Sequence, residues 1–252
     1  MNHSSFINYI LHLADTSLIL GQRNGEWCGH GPILEQDIAI TNITLDQVGQ
    51  ARNFYQHAAE LINQQEGKNE TEDSLAYLRN ERDFKNLLLC ELPKGDWAFT
   101  VTRQFLYSAY ASLLFEALKQ STDEQVAAIA AKSLKEITYH LKWSSEWVIR
   151  LGDGTAESNQ RMRKALEDIW PYTGEMFIPA TYETTDITGL DIRSFKKPWL
   201  EKVAEILEEA TLTVPADTFM QTGGKTGVHT EHMGYILAEM QSLQRAYPGL
   251  EW

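Results

Sequence analysis

Apolar residues recur at helical spacing along nearly the whole chain, and this pattern predicts helices rather than strands. The first helix runs from Phe6 to about Arg23 and stops at Asn24-Gly25, a pair suited to a C-terminal cap. A polar and aromatic loop follows, Gly25-Glu26-Trp27-Cys28-Gly29-His30-Gly31-Pro32. The second helix, from about Ile33 to Ile62, is long and carries Ile43, Val48, Phe54, Ala58 and Leu61 at its apolar positions. Residues 64–74 are polar and predict an exposed loop, followed by a shorter helix near 74–91. The run Leu92-Pro93-Lys94-Gly95-Asp96 breaks the pattern. Two further long helices span about 97–120 and 123–151, with Ser121-Thr122-Asp123 supplying the N-cap between them and Gly152-Asp153-Gly154 ending the second.

Strand signals are nearly absent, and Thr211-Leu212-Thr213-Val214 is too short to found a sheet. Four long helices with short joins predict an all-α fold, an antiparallel four-helix bundle over about 5–151. Additional C-terminal helices, about 157–170, 194–211 and 228–246, read as satellites packed on that bundle within 157–247. The whole of 1–252 is expected to form a single domain, without internal repeats.

Composition narrows the function classes. The chain of 252 residues has 35 Asp plus Glu against 22 Lys plus Arg, a formal charge of −13. Such acidity excludes a nucleic-acid backbone as the expected partner, although a small basic pocket for an anion stays open. Cys28 and Cys90 are too few for a disulfide framework and are expected to be buried, inert thiols. No basic n-region precedes a long apolar run, and no window approaches a membrane span. The expectation is a soluble, cytoplasmic protein.

A helical bundle of this length raises the question of a di-iron carboxylate centre, which takes an acid from each of two helices and Glu-x-x-His from each of the other two. No Glu in this chain is followed three residues later by His. The second helix instead offers Gln47-Val48-Gly49-Gln50, two neutral amides on a stripe with Ile43 and Phe54. In the fourth long helix, Glu136-x-x-Tyr139 has the acid without the imidazole, while Ile137-x-x-His140 has the imidazole without the acid. The first helix contributes Asp15, on a stripe with Leu11 and Leu18; the third offers Tyr107 and Tyr110 and no carboxylate before Glu116. Buried cations need anionic ligands, which glutamines cannot supply. Asp15, Gln47, Gln50, Glu136 and His140 are therefore expected to form a polar core network without a bound metal.

A second constellation, Thr222-Gly223-Gly224-Lys225-Thr226-Gly227-Val228-His229-Thr230-Glu231-His232, leads into the last helix. Its Gly-Lys-Thr lacks the first glycine of a phosphate-binding P-loop, because Phe219 stands there, and no strand precedes it. A weak anion site using Lys225 is one reading; a tight glycine turn is the other. His229 and His232 read as capping and ion-pairing groups, or as ligands of a single metal. No Gly-x-Ser-x-Gly elbow occurs, and neither cysteine is placed as a nucleophile.

Several of these stretches resemble the PaaC subunits of the phenylacetyl-CoA epoxidase, also called ring-1,2-phenylacetyl-CoA oxygenase. The matches are Gly25-Glu26-Trp27-Cys28-Gly29-His30, the run Leu45 to Asn53 (LDQVGQARN), the run Glu81 to Leu89 (ERDFKNLLL) and Lys135-Glu136-Ile137-Thr138-Tyr139-His140-Leu141. The glycine segment from Thr222, the run Leu237 to Gln241 and Pro248-Gly249 extend the likeness to the end of the chain. The resemblance implies a ferritin-like bundle acting as a non-catalytic structural subunit beside a related subunit, PaaA, in aerobic phenylacetate degradation. PaaA would hold the di-iron centre and use O2 with NADPH electrons passed through a reductase subunit. This chain itself would bind no cofactor, and Lys225 could touch the CoA phosphates. Trp27, the tail Gly249-Leu250-Glu251-Trp252 and the last helix are candidates for the face that meets PaaA, and a homo-oligomer is expected when the chain is alone. Two alternatives stand beside this reading: a self-sufficient ferritin-like metal oxidase or oxygenase, and a ferritin-like scaffold for an unrelated partner.

Overall fold

The computed structural model describes residues 3–216 and 218–250, and every regular element among them is helical. Four long helices form the bundle: α1 (His3–Gly25), α2 (Leu34–Glu66), α5 (Trp97–Leu118) and α6 (Glu124–Gly152). Between α2 and α5 lie two short pieces, α3 (Glu72–Tyr77) and α4 (Leu88–Glu91). After the bundle come α7 (Ala156–Ile169), the one-turn α8 (Thr185–Thr188), α9 (Lys196–Glu209) and α10 (Glu231–Ala246).

The helix ends follow local capping chemistry. Asp96 accepts from the Phe99 N–H at 2.9 Å and Asp123 from the Val126 N–H at 2.8 Å, so each long helix of the second pair starts on a carboxylate. Thr155 and Ser158 form a reciprocal capping box at the start of α7. Gly67, at φ 63°, closes α2 in the left-handed conformation.

Helix α1 packs along α2, α5 along α6, and α2 also lies against α6. Contacts between Asp46 and His140 and between Gln50 and Glu136 run in opposite chain sense, so α2 and α6 are antiparallel. Helices α7 and α9 cover the α5–α6 pair, whereas α4, α8 and α10 cover α1. As a result α1 is buried along almost its whole circumference from Ile7 to Leu20, unlike the amphipathic α6.

The segment expected as one helix over 74–91 is broken. Arg79 leaves the helix to donate to the Leu75 and Asp83 carbonyls, and residues 84–87 run extended across α1. There the Lys85 N–H bonds Asp15 at 2.8 Å, the Leu87 N–H bonds Thr16 at 3.3 Å, and the Lys85 carbonyl meets His12 at 2.6 Å. Those tertiary partners replace the intrahelical bonds that a continuous helix would have made. Both ends of the predicted loop 64–74 are likewise helical, residues 64–66 in the last turn of α2 and 72–74 in α3.

Candidate functional site

The bundle interior holds a layer of hydrogen-bonded amides. Asn24 of α1 donates from Nδ2 to Gln47 Oε1 at 2.9 Å and to Gln104 Oε1 at 2.7 Å. Gln47 Nε2 also donates to Gln104 at 3.2 Å, and Gln104 Nε2 donates to the Ser108 hydroxyl at 2.9 Å. Three helices are thereby tied together by neutral groups, all buried. The Arg103 guanidinium closes the layer, donating to Asn24 Oδ1 at 3.2 Å and to the carbonyls of Leu92 and Pro93. Burial pushes this guanidinium down to about 10 from its usual value, yet it stays charged at neutral pH.

This layer does not fit a di-iron centre. Two divalent or trivalent cations require hard anionic oxygen donors, and here a buried cation already hydrogen-bonds the central amide. Among the described residues there is no group of three or more His, Cys, Asp and Glu arranged to hold a metal.

Of the predicted residues, the structure brings Gln47, Gln50, Glu136 and His140 to neighbouring turns of α2 and α6. Gln50 Nε2 donates to Glu136 Oε2 at 3.0 Å, and His140 Nε2 lies 2.9 Å from Asp46 Oδ2. Asp15 belongs elsewhere. It accepts from Tyr55 Oη at 2.5 Å, from the Arg79 guanidinium and from the Lys85 N–H, so its charge is fully matched between α1, α2 and the extended segment. Burial and the adjacent Asp15 hold the Tyr55 phenol well above its ordinary range. Asn24, Arg103 and Gln104 were not among the predicted site residues. The signal that could have found the last two is the polar pair Arg103-Gln104 inside the largely apolar run of α5; Asn24 carried none.

The glycine segment is a buried anchor, and Lys225, offered by the sequence either as an anion contact or as part of a tight glycine turn, points inward. Its side chain is buried, with Nζ 2.8 Å from Glu183 Oε2 and 3.1 Å from the Ile178 carbonyl. Glu175 accepts from the N–H groups of Gly223 and Leu88, at 2.8 and 2.9 Å. The backbone N–H groups that could have cradled an anion are thus spent on an internal carboxylate. Burial raises the Glu175 carboxyl despite these donors. Cys90 is buried as expected, and burial pushes its thiol up, whereas Cys28 is exposed in the turn after α1.

Glu91 forms a second anchor. Its Oε2 accepts from the N–H and hydroxyl of Thr230 at 2.8 and 2.7 Å, and its Oε1 faces His229 Nδ1 at 2.6 Å. His229 Nε2 lies 3.1 Å from the Phe84 carbonyl, so both ring nitrogens face acceptors. Only the imidazolium can donate twice. Burial works against that charge, but the Glu91 carboxylate and the Phe84 carbonyl outweigh it and raise the His229 pKa. A raised folded-state pKa stabilises the fold fully below the unfolded value, about 6.5, and the contribution is lost as pH rises through the folded value. His229→Gln should accordingly cost about 1–2 kcal/mol in denaturant unfolding at pH 6, and less at pH 8.5. An equal cost at both values would contradict the imidazolium assignment.

No described helix is long and apolar enough to cross a membrane. Trp27 is half-buried; its ring packs edge-on against Trp97 at 5.0 Å, and its Nε1 donates to Thr100 at 2.9 Å. Glu251 and Trp252 lie outside the described residues. A family model described as phenylacetic acid catabolic protein matches residues 1–252. The chain is 47% identical over 247 residues to the C subunit of the 1,2-phenylacetyl-CoA epoxidase of Escherichia coli (strain K12), covering 97% of this chain and 98% of that one.

Proposed function

The chain belongs to the phenylacetic acid catabolic protein family, and from that membership we propose that it is the structural subunit of a multi-subunit phenylacetyl-CoA epoxidase. It takes no part in bond making. Its role is to pack against the related catalytic subunit PaaA, which carries the di-iron centre, and to hold that subunit's helices rigid. O2 and electrons from NADPH, delivered through a reductase subunit, act on PaaA in the cytoplasm and not on this chain.

The observation that supports this reading is the amide layer. Asn24, Gln47 and Gln104 satisfy one another across three helices, with Arg103 beside them, through neutral amides and a cation rather than carboxylates. Such a layer ties the helices together without a metal and positions no group to activate oxygen.

Elemental analysis tests this. Expressed alone in metal-replete medium, the purified chain should contain far less than one iron, manganese or zinc ion per molecule, while still capturing PaaA. Close to two metal ions per chain would sink the proposal in favour of a self-sufficient oxidase. Metal-free protein that captures no PaaA would point to an unrelated partner.

A further inference from the structure

Helix α10 is fastened to the rest of the chain at its two ends and only thinly between them. Of its sixteen residues only Met233, Ile236, Leu237 and Gln241 are buried, and Tyr235 is 73% exposed. At the C-terminal end Gln241 Nε2 donates to the Ala76 and Arg79 carbonyls at 3.2 and 3.0 Å. Arg245 beside it donates to the Leu78 and Arg79 carbonyls at 3.2 and 2.8 Å. An amide and a guanidinium on backbone oxygens make a fastening that does not change with pH near neutrality.

The N-terminal end is fastened by different chemistry. Four donors converge on the buried Glu91 carboxylate: the Thr230 N–H and hydroxyl, Asn86 Nδ2 at 2.9 Å, and His229. Of these, His229 alone can carry a charge, because Arg23 of α1 donates to the Glu91 carbonyl, at 3.0 Å, and not to its carboxylate. A neutral imidazole has one N–H. One ring nitrogen would then turn a lone pair on Glu91 or on the Phe84 carbonyl, and the carboxylate would stay buried with no cation on it. Lifting the start of α10 into water relieves both conflicts.

The charged groups around this contact do not supply a substitute cation. Glu81, in the turn before Phe84, adds a second acid that favours the imidazolium. Lys225 of the glycine segment is spent on Glu183, and Asp15 of α1 on Arg79. His12 of α1 is held below its ordinary value, chiefly by burial, so it is already neutral where His229 begins to titrate. Glu231 and His232 follow on α10, where the His232 N–H is capped by the Thr230 hydroxyl at 3.3 Å.

We propose that α10 is a strap latched by protonated His229: loss of that proton above neutral pH frees the N-terminal end of the helix while the Arg245 end holds. Opening uncovers the Phe84 backbone and the side of α1 beneath it. The sign follows from linkage. The latched imidazole holds its proton more tightly than a free one, so closure is complete below about pH 6.5 and weakens by up to tenfold per pH unit above it, until the latched value is passed.

Hydrogen–deuterium exchange of the intact chain at pH 6.0 and 8.5 tests this, each amide rate being divided by its intrinsic rate at that pH. Helix α7, packed on the α5–α6 pair, is the internal reference. Protection of residues 231–246 should fall about tenfold more than that of α7 as pH rises. In His229→Gln, protection of α10 should be low at both values and show no extra fall. Arg245→Met, at the other end, should lower it at both values and keep the wild-type fall. Wild-type α10 that tracks α7 would overturn the strap, whether both fall together or neither does. A full fall persisting in His229→Gln would overturn it too. The wild-type comparison needs no substitution, so it decides even where a variant loses the fold.

Discussion

Lys225→Met should lower stability by about 3–5 kcal/mol, a fall of roughly 10 °C in melting temperature. The methionine preserves the buried volume but removes the ammonium from Glu183, whose side chain is almost inaccessible. That carboxylate would keep the Ala180 N–H at 2.9 Å and face His12 Nε2 at 3.6 Å. Burial chiefly holds the His12 pKa down, with Lys225 adding to the effect and Glu183 opposing it. Removing Lys225 leaves Glu183 to favour His12 protonation. The variant should then recover part of its deficit as pH falls, the reverse of what ordinary acid destabilisation would give. Lys225→Met/Glu183→Leu should regain most of the loss, since removing both leaves no buried charge unpaired. A single variant as stable as wild type in urea unfolding would show that the pair is not buried in solution.

Gly227→Ala should be nearly as damaging, at about 3 kcal/mol or more. Gly227 has φ 80°, a conformation that costs an L residue about 1–3 kcal/mol. In addition, a Cβ there would fall on the Arg82 carbonyl oxygen, and backbone on both sides leaves no flexible side chain to yield. The segment must move away from the extended stretch that it crosses, which strips donors from Glu175 and Glu91 together. Limited proteolysis would show this as new cleavage between α9 and α10, with the bundle helices still protected. An uncleaved variant of wild-type stability would mean that the turn can relax around a methyl group.

The long helices were legible because each announces itself twice, through apolar periodicity and through a local stop or cap. Asp96, Asp123 and Gly152-Asp153-Gly154 bound α5 and α6 within a residue or two of their predicted ends. The stretch 74–91 was not legible. Its composition suits a helix, and only the buried acceptors on α1, 70 and 71 residues away, explain why residues 84–87 are extended. The same asymmetry governs the polar residues. Gln47 and Gln50 could be found because a metal-site template predicts where to look on α2. Asn24 could not, because the rule that reads Asn-Gly as a helix end is local, whereas its amide is held by Gln47 and Gln104 from two other helices. Asp15 was placed on an interior stripe correctly, but the stripe says nothing of which interior neighbour it meets. Glu91, Glu175 and Glu183 sit in short or irregular segments without periodicity, so their burial had no sequence signal at all.

The enclosure of α1 has a consequence for the order in which the chain can mature. Helix α1 is synthesised before every element that covers it, and it stays incomplete until residues 175–183 and α10 arrive. At ribosomal rates of about 5–20 residues per second, an apolar helix waits on the order of ten seconds for its cover. Asp15, Thr16 and His12 meet partners near residue 85, but the helix is enclosed only by segments made more than a hundred residues later. So long a span between first and last contacts leaves apolar surface of the nascent chain uncovered while synthesis continues. Shortening the chain from its C-terminus would expose its earliest helix rather than merely its latest.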